Sequence, residues 1–226
     1  MPNYKYKRVT LFAGHYGSGK TNIAVNFGLK MRSEGFKVKM ADLDIVNPYF
    51  RTKDSQDLLQ KADIELISPA FANTNVDLPA LPQEVYKLVQ SKDFNAVFDI
   101  GGDDRGAYAL GRYTPAILQE NDYEMIFVAN FYRPLTKTPQ EAIEVMREIE
   151  DACKIKFTAI INNSNLGNLT TDKDVNATLD KANELSALTG LPIIFTTAVK
   201  GVSQGVNAQN VFEITLQEKI FDIKEN

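Results

Sequence analysis

The sequence predicts an α/β fold, a doubly wound and mostly parallel sheet flanked by helices. Three observations carry that expectation. Short apolar runs recur along the chain with helical stretches between them, as buried parallel strands and crossover helices require. A glycine-rich turn at residues 14–21 joins the first apolar run to the first helical stretch. Two later runs lead into aspartates, which puts acids at the carboxyl edge of the sheet, where open parallel sheets bind ligands.

In chain order the strand-like runs are VTLFA (9–13), VKMAD (38–42), IELIS (64–68), AVFDI (96–100), MIFVA (125–129), FTAIIN (157–162) and IIFTT (193–197). The first helix opens at Lys20 and runs on through NIAVNF. A later helix is capped by Thr138, with Pro139 at its first position and Glu141 completing a capping box. Its Ala142, Val145, Met146 and Ile149 share one apolar face. Another carries Val175, Leu179, Ala182, Leu185 and Leu188, then stops at Gly190 with Pro192 beyond. Residues 46–52 and 69–82, rich in Pro, Asn and Asp, read as loops. The C-terminal stretch from Asn210 reads as partly amphipathic with an acidic polar side, the wrong sign for a membrane-surface helix. Length and the absence of repeats predict a single domain, 1–226.

The turn GHYGSGKT matches the phosphate-binding pattern GxxxxGK[ST] in full and lies between a strand and a helix, where the pattern has mechanical meaning. Gly14, Gly17 and Gly19 let the backbone aim successive N–H groups, those of His15, Tyr16 and Ser18 among them, at phosphate oxygens. Lys20 reaches the outer phosphates, Thr21 offers a hydroxyl to magnesium, and the helix opening at Lys20 adds its positive end. Asp42 and Asp44 close the second strand and Asp99 the fourth, so all three gather beside this loop.

Composition narrows the function classes. The net charge is -4, and the only basic cluster is Lys5, Lys7 and Arg8, which argues against nonspecific nucleic-acid binding. No stretch has the length and apolarity of a membrane span, and the short polar start has no secretory core, so a cytoplasmic location with no membrane contact is expected. The single cysteine, Cys153, is expected to be a small buried apolar residue.

These residues together resemble the MinD/ParA-like P-loop ATPases, which stand with the nitrogenase iron protein and the CobQ/CobB-type enzymes in the SIMIBI class. The resemblance rests on GHYGSGKT, the DLD after the second strand, the FDIGG after the fourth and the strand order. It implies a three-layer sandwich that holds ATP and magnesium between two subunits. It further implies that Lys20 binds the outer phosphates, Thr21 the metal, and Asp42 and Asp99 the metal directly or through water. Asp44 would orient the attacking water. One departure stands out: the family's loop carries a second lysine after the first glycine, and here that position is His15, whose imidazole is not a permanent cation. Arg51, Arg105 and Arg112 are the candidates to replace that charge.

The base can be argued from the run IINNSN. Where a guanine-binding loop has NKxD, this chain has Asn163 for the lysine and Asn165 for the aspartate, so the paired acceptors that guanine needs are missing. The family resemblance leaves Asn162 to contact adenine, with residues 198–201 closing over the base. The expected function is a magnesium-dependent ATPase that acts as a switch for a protein partner and dimerises when ATP-bound. The reporting surfaces would be the tip NPYFRT and residues 71–81. The alternatives are a small-molecule kinase or ATP-dependent ligase, and a nucleotide-sensing scaffold with little turnover. A metal-insertion chaperone lacks Cys and His clusters in this chain.

Overall fold

A computed structural model describes residues 4–43, 55–68, 83–101 and 104–217. Asp44, Arg51 and the expected loops 46–52 and 69–82 lie outside the described residues.

Among the described residues eight strands form one sheet in which every pairing is parallel: β1 (Val9–Ala13), β2 (Val38–Leu43), β3 (Glu65–Ile67), β4 (Asn95–Ile100), β5 (Tyr123–Ala129), β6 (Ala159–Asn162), β7 (Ile193–Val199) and β8 (Val211–Ile214). Their order is β3-β2-β4-β1-β5-β6-β7-β8. From β1 the chain winds outward to one side, returns to insert β4 beside β1, and then crosses to build the other side from β5. That reversal opens a crevice at the carboxyl ends of β1, β4 and β5.

Alternation along the strands feeds two cores. On one face Phe12, Met40 and Val97 pack under α1 (Lys20–Ser33), through Ile23, Ala24, Phe27 and Met31, and Leu59 of α2 (Gln56–Lys61) joins them. Phe27 meets the edge of Phe12 at 5.1 Å between centroids. On the other face Leu11, Phe98 and Phe127 pack under α3 (Gln83–Gln90), α4 (Asp104–Gly111), α5 (Thr114–Glu120), α6 (Pro139–Cys153) and α8 (Leu179–Thr189). This is the doubly wound three-layer sandwich that the apolar runs predict.

Three details refine the sequence reading. The capping box of α6 is present: Glu141 N donates to Thr138 Oγ1 at 3.2 Å, and Thr138 N donates to Glu141 Oε2 at 2.9 Å. The single helix expected from Val175 to Leu188 is two, α7 (Asp172–Asn176) and α8. Thr178 divides them, donating to Val175 O at 2.8 Å while accepting from Asn162 Nδ2 of β6. The C-terminal stretch, read as amphipathic, begins as strand β8, and the chain beyond it runs over α1. There Asn26 exchanges hydrogen bonds with Thr215, and Gln217 N donates to Asn22 Oδ1.

At the opposite, amino-terminal end of the sheet, buried Arg8 closes the fold. It donates to the carbonyls of Leu88, Val89 and Ser91 at 3.0, 2.6 and 2.9 Å, which terminate α3. It also pairs through both Nε and Nη2 with Glu120 at the end of α5. Cys153 is fully buried in the core beside α4, as the composition suggests, and burial pushes its thiol pKa up.

Candidate functional site

The glycine-rich loop leaves β1 at Ala13 and enters α1 at Lys20, so strand, loop and helix are continuous. Its shape follows from what surrounds it. A Cβ on Gly14 would stand 2.6 Å from the carbonyl oxygen of Val128 in β5, so only a glycine lets the chain leave β1 along its neighbour. Gly19 holds the left-handed conformation, φ 91°, and its missing side chain makes room for the Asn163 amide. Ser18 N donates to His15 O at 3.0 Å, which closes the turn. Among the described residues no side chain caps α1, so its first turn opens toward the loop, as at anion-binding helix ends.

Lys20 is 5% exposed and folds back over the loop, its Nζ 3.3 Å from His15 O. Thr21 is buried next to it. His15 turns its Nδ1 to Tyr16 O at 2.9 Å, and Tyr16 is exposed at the loop tip.

Asp42 of β2 and Asp99 of β4 are register partners, and Asp99 also pairs with Phe12 of β1. Neighbours in register point to the same face, and Phe12 faces α1. Both aspartates therefore point to the face of the sheet that carries Lys20 and Thr21, and both are buried. Two carboxylates and a hydroxyl are hard oxygen donors that suit magnesium completed by phosphate oxygens and water. Among the described residues no group of three or more His, Cys, Asp and Glu could hold a metal without such help.

The asparagines at the end of β6 and just beyond it are held by neighbouring elements. Asn162 is fully buried; its Nδ2 donates to Thr178 Oγ1 at 3.1 Å, and its Oδ1 accepts from Ser164 N and Oγ at 3.2 and 2.7 Å. These bonds brace the loop after β6 and engage one of the two Nδ2 hydrogens. Asn163 instead reaches the phosphate loop, donating to Ser18 O at 2.7 Å and accepting from Thr197 Oγ1 of β7. It ties β6, β7 and the loop together. Asn165, half-buried, donates to Asn163 O at 2.7 Å and accepts from Gly167 N at 3.1 Å.

Of the three arginines proposed to supply a cation, Arg51 and the Arg105 side chain are not among what the structure describes. Arg112 follows α4 at the wrong end of the sheet, beside Tyr113 and Thr114, whose Oγ1 binds Cys153 O at the end of α6. Among the described residues the arginine that reaches the loop is Arg133, whose Nε donates to Gly17 O at 2.8 Å. Nothing in the sequence singled it out, because NFYRP reads as an ordinary connection after β5.

No protein-family model matches this chain, and no curated protein matches it. Solved structures do resemble it. Chloroplast FtsY from Physcomitrella patens superposes with a TM-score of 0.59 at 19% identity, over 88% of this chain and 61% of that one. Cell division protein FtsY from Thermotoga maritima gives 0.58 at 16% identity, over 88% and 63%. The signal recognition particle 54 kDa protein from Aeropyrum pernix K1, in complex with GDP, gives 0.52 at 15% identity, over 87% and 42%. This chain spans less than two thirds of the length of each. At these identities the likeness is one of fold. This chain shares their doubly wound, three-layer α/β sandwich, the fold of P-loop NTPases.

Proposed function

We propose that this chain is a magnesium-dependent nucleoside triphosphatase that acts as a switch for a protein partner, built as a single domain of the MinD/ParA-like kind. The observation that carries the reading is the loop at residues 14–21, with Lys20 folded across it and the register-paired Asp42 and Asp99 on the same face. Backbone amides, the Lys20 ammonium and the opening of α1 would hold the phosphates. Thr21, Asp42 and Asp99 would hold magnesium, which neutralises charge developing on the transferring phosphoryl group. Asp44, directly after β2, remains the proposed positioner of the attacking water. Hydrolysis would release the chain after Asp44 and after Gly101, and a partner would read that change. A homodimer in the triphosphate state and a cytoplasmic setting belong to the same proposal.

ATP is the preferred nucleotide, because Asn165 stands where guanine recognition needs a carboxylate, and an amide oxygen is a single acceptor. GTP is the second reading, favoured by the GDP in the Aeropyrum structure and in an Elizabethkingia anophelis signal recognition particle receptor at 18% identity and TM-score 0.56. The test is phosphate release from Mg–ATP and Mg–GTP without any acceptor, with the mass in solution followed by light scattering. Slow release and a doubled mass with the triphosphate support the switch. Release only on adding a metabolite acceptor means a kinase or ligase, and tight binding without release means a sensing scaffold.

A further inference from the structure

Resting on that nucleotide reading, we propose that Arg133 binds the phosphates of the nucleotide and is the second cation of the site. Its guanidinium lies against the glycine-rich loop: Nε donates to Gly17 O at 2.8 Å, and the guanidinium carbon would stand 3.7 Å from a Cβ on Gly17. Among the described residues its terminal nitrogens bind nothing and no carboxylate pairs with it. A half-buried guanidinium fixed through one nitrogen still has donors to give, in the planar fork that fits phosphate oxygens.

The segment that carries it is held in place before any ligand arrives. Buried Asn130, directly after β5, accepts from Tyr132 N through Oδ1 at 3.0 Å. Its carbonyl accepts from Arg133 N at 3.1 Å and from Thr136 Oγ1 at 2.7 Å. Thr136 N closes a short 3-10 turn, Pro134–Thr136, by donating to Arg133 O at 3.2 Å. Arg133 itself is extended, φ -97° and ψ 145°, as a residue before proline must be. Phe131 N is bound to Ser164 Oγ, and Tyr132 OH to Asp174 O, which fasten the same segment to the loop after β6 and to α7. A cation delivered this way needs no ordering when the nucleotide binds.

The competing role for Arg133 is to brace the loop through Gly17 O, and two substitutions separate the two. Arg133→Lys keeps the charge and Arg133→Gln keeps an N–H donor without the charge. Wild type, both variants, Arg133→Ala and Lys20→Ala are titrated with methylanthraniloyl-labelled ATP, GTP and their diphosphates in magnesium, with thermal melts to confirm folding. The proposal expects Arg133→Ala to weaken the triphosphate about 10- to 100-fold. It expects a smaller loss for the diphosphate, recovery of most of the affinity by Lys, and little by Gln. Wild-type affinity in Arg133→Ala, or recovery by Gln and not by Lys, overturns it. If wild type binds and Lys20→Ala does not while Arg133→Ala is unaffected, this inference fails and the nucleotide reading stands. If wild type binds neither nucleotide, both fall.

Discussion

Replacing Gly19 by alanine tests whether the loop is shaped by its neighbours or by its own backbone. At φ 91° an L-residue is in the left-handed region, which costs roughly 1–2 kcal/mol. A Cβ there would also overlap the Asn163 amide nitrogen, closer than the 3.0 Å that real Cβ contacts respect. Asn163 would have to move, losing its donation to Ser18 O and its bond from Thr197, both buried. Each lost bond costs about 1 kcal/mol, and more where a buried partner is stranded. Gly19→Ala should therefore lose about 3–5 kcal/mol. Gly35→Ala isolates the backbone part, since Gly35 has φ 92° and nothing within 4 Å of its would-be Cβ. It should lose only about 1–2 kcal/mol. Urea unfolding of both proteins, followed by circular dichroism, measures the difference. A Gly19→Ala midpoint equal to that of Gly35→Ala would refute the argument that Asn163 is seated on the loop.

Arg8→Met should lose about 3–5 kcal/mol, because Glu120 and three carbonyls at the end of α3 would keep their burial and lose their partner. A loss under about 1 kcal/mol in the same unfolding assay would contradict that. Tyr113→Phe should be neutral or stabilising by about 1 kcal/mol, since the hydroxyl is buried with no hydrogen-bond partner among the described residues. Burial pushes the Tyr113 pKa up to about 12, with Tyr86 adding to it and Arg112 opposing. Above the usual tyrosine pKa the unfolded chain ionises while folded Tyr113 stays neutral, so it contributes a fall in stability as pH rises toward 12. Stability measured against pH should fall less steeply there in Tyr113→Phe. Thr138→Ala removes the capping box of α6 and should cost about 1 kcal/mol, read as a shift of the urea midpoint.

Much of the fold was legible because its strands are buried on both faces. Runs such as AVFDI and MIFVA have no polar face to confuse with helix, and they reappear as β4 and β5 extended by a residue or two. The last strand was not legible, because VFEI lies on the sheet edge with one exposed acid, and the residues after it mimic a helical period. The break before α8 was hidden for another reason: it depends on Thr178 meeting Asn162, sixteen positions away in sequence. The same distinction runs through the site. The glycines and Lys20 form a contiguous motif whose spacing already states its geometry. Asn163 and Arg133 reach the loop from β6 and from the segment after β5, contacts made only by the folded sheet. The bonds of Asn162 to Ser164 and Thr178 were equally hidden, because both partners are ordinary polar residues in sequence.

The central claim, that residues 14–21 hold the phosphates of a magnesium nucleotide, is tested most directly by calorimetric titration of wild type and Lys20→Ala with Mg–ATP and Mg–GTP. The account predicts saturable binding of a triphosphate by wild type, lost when magnesium is chelated or Lys20 is removed, with both proteins melting at similar temperatures. Absence of binding by wild type, or binding that survives in Lys20→Ala unchanged, would contradict it.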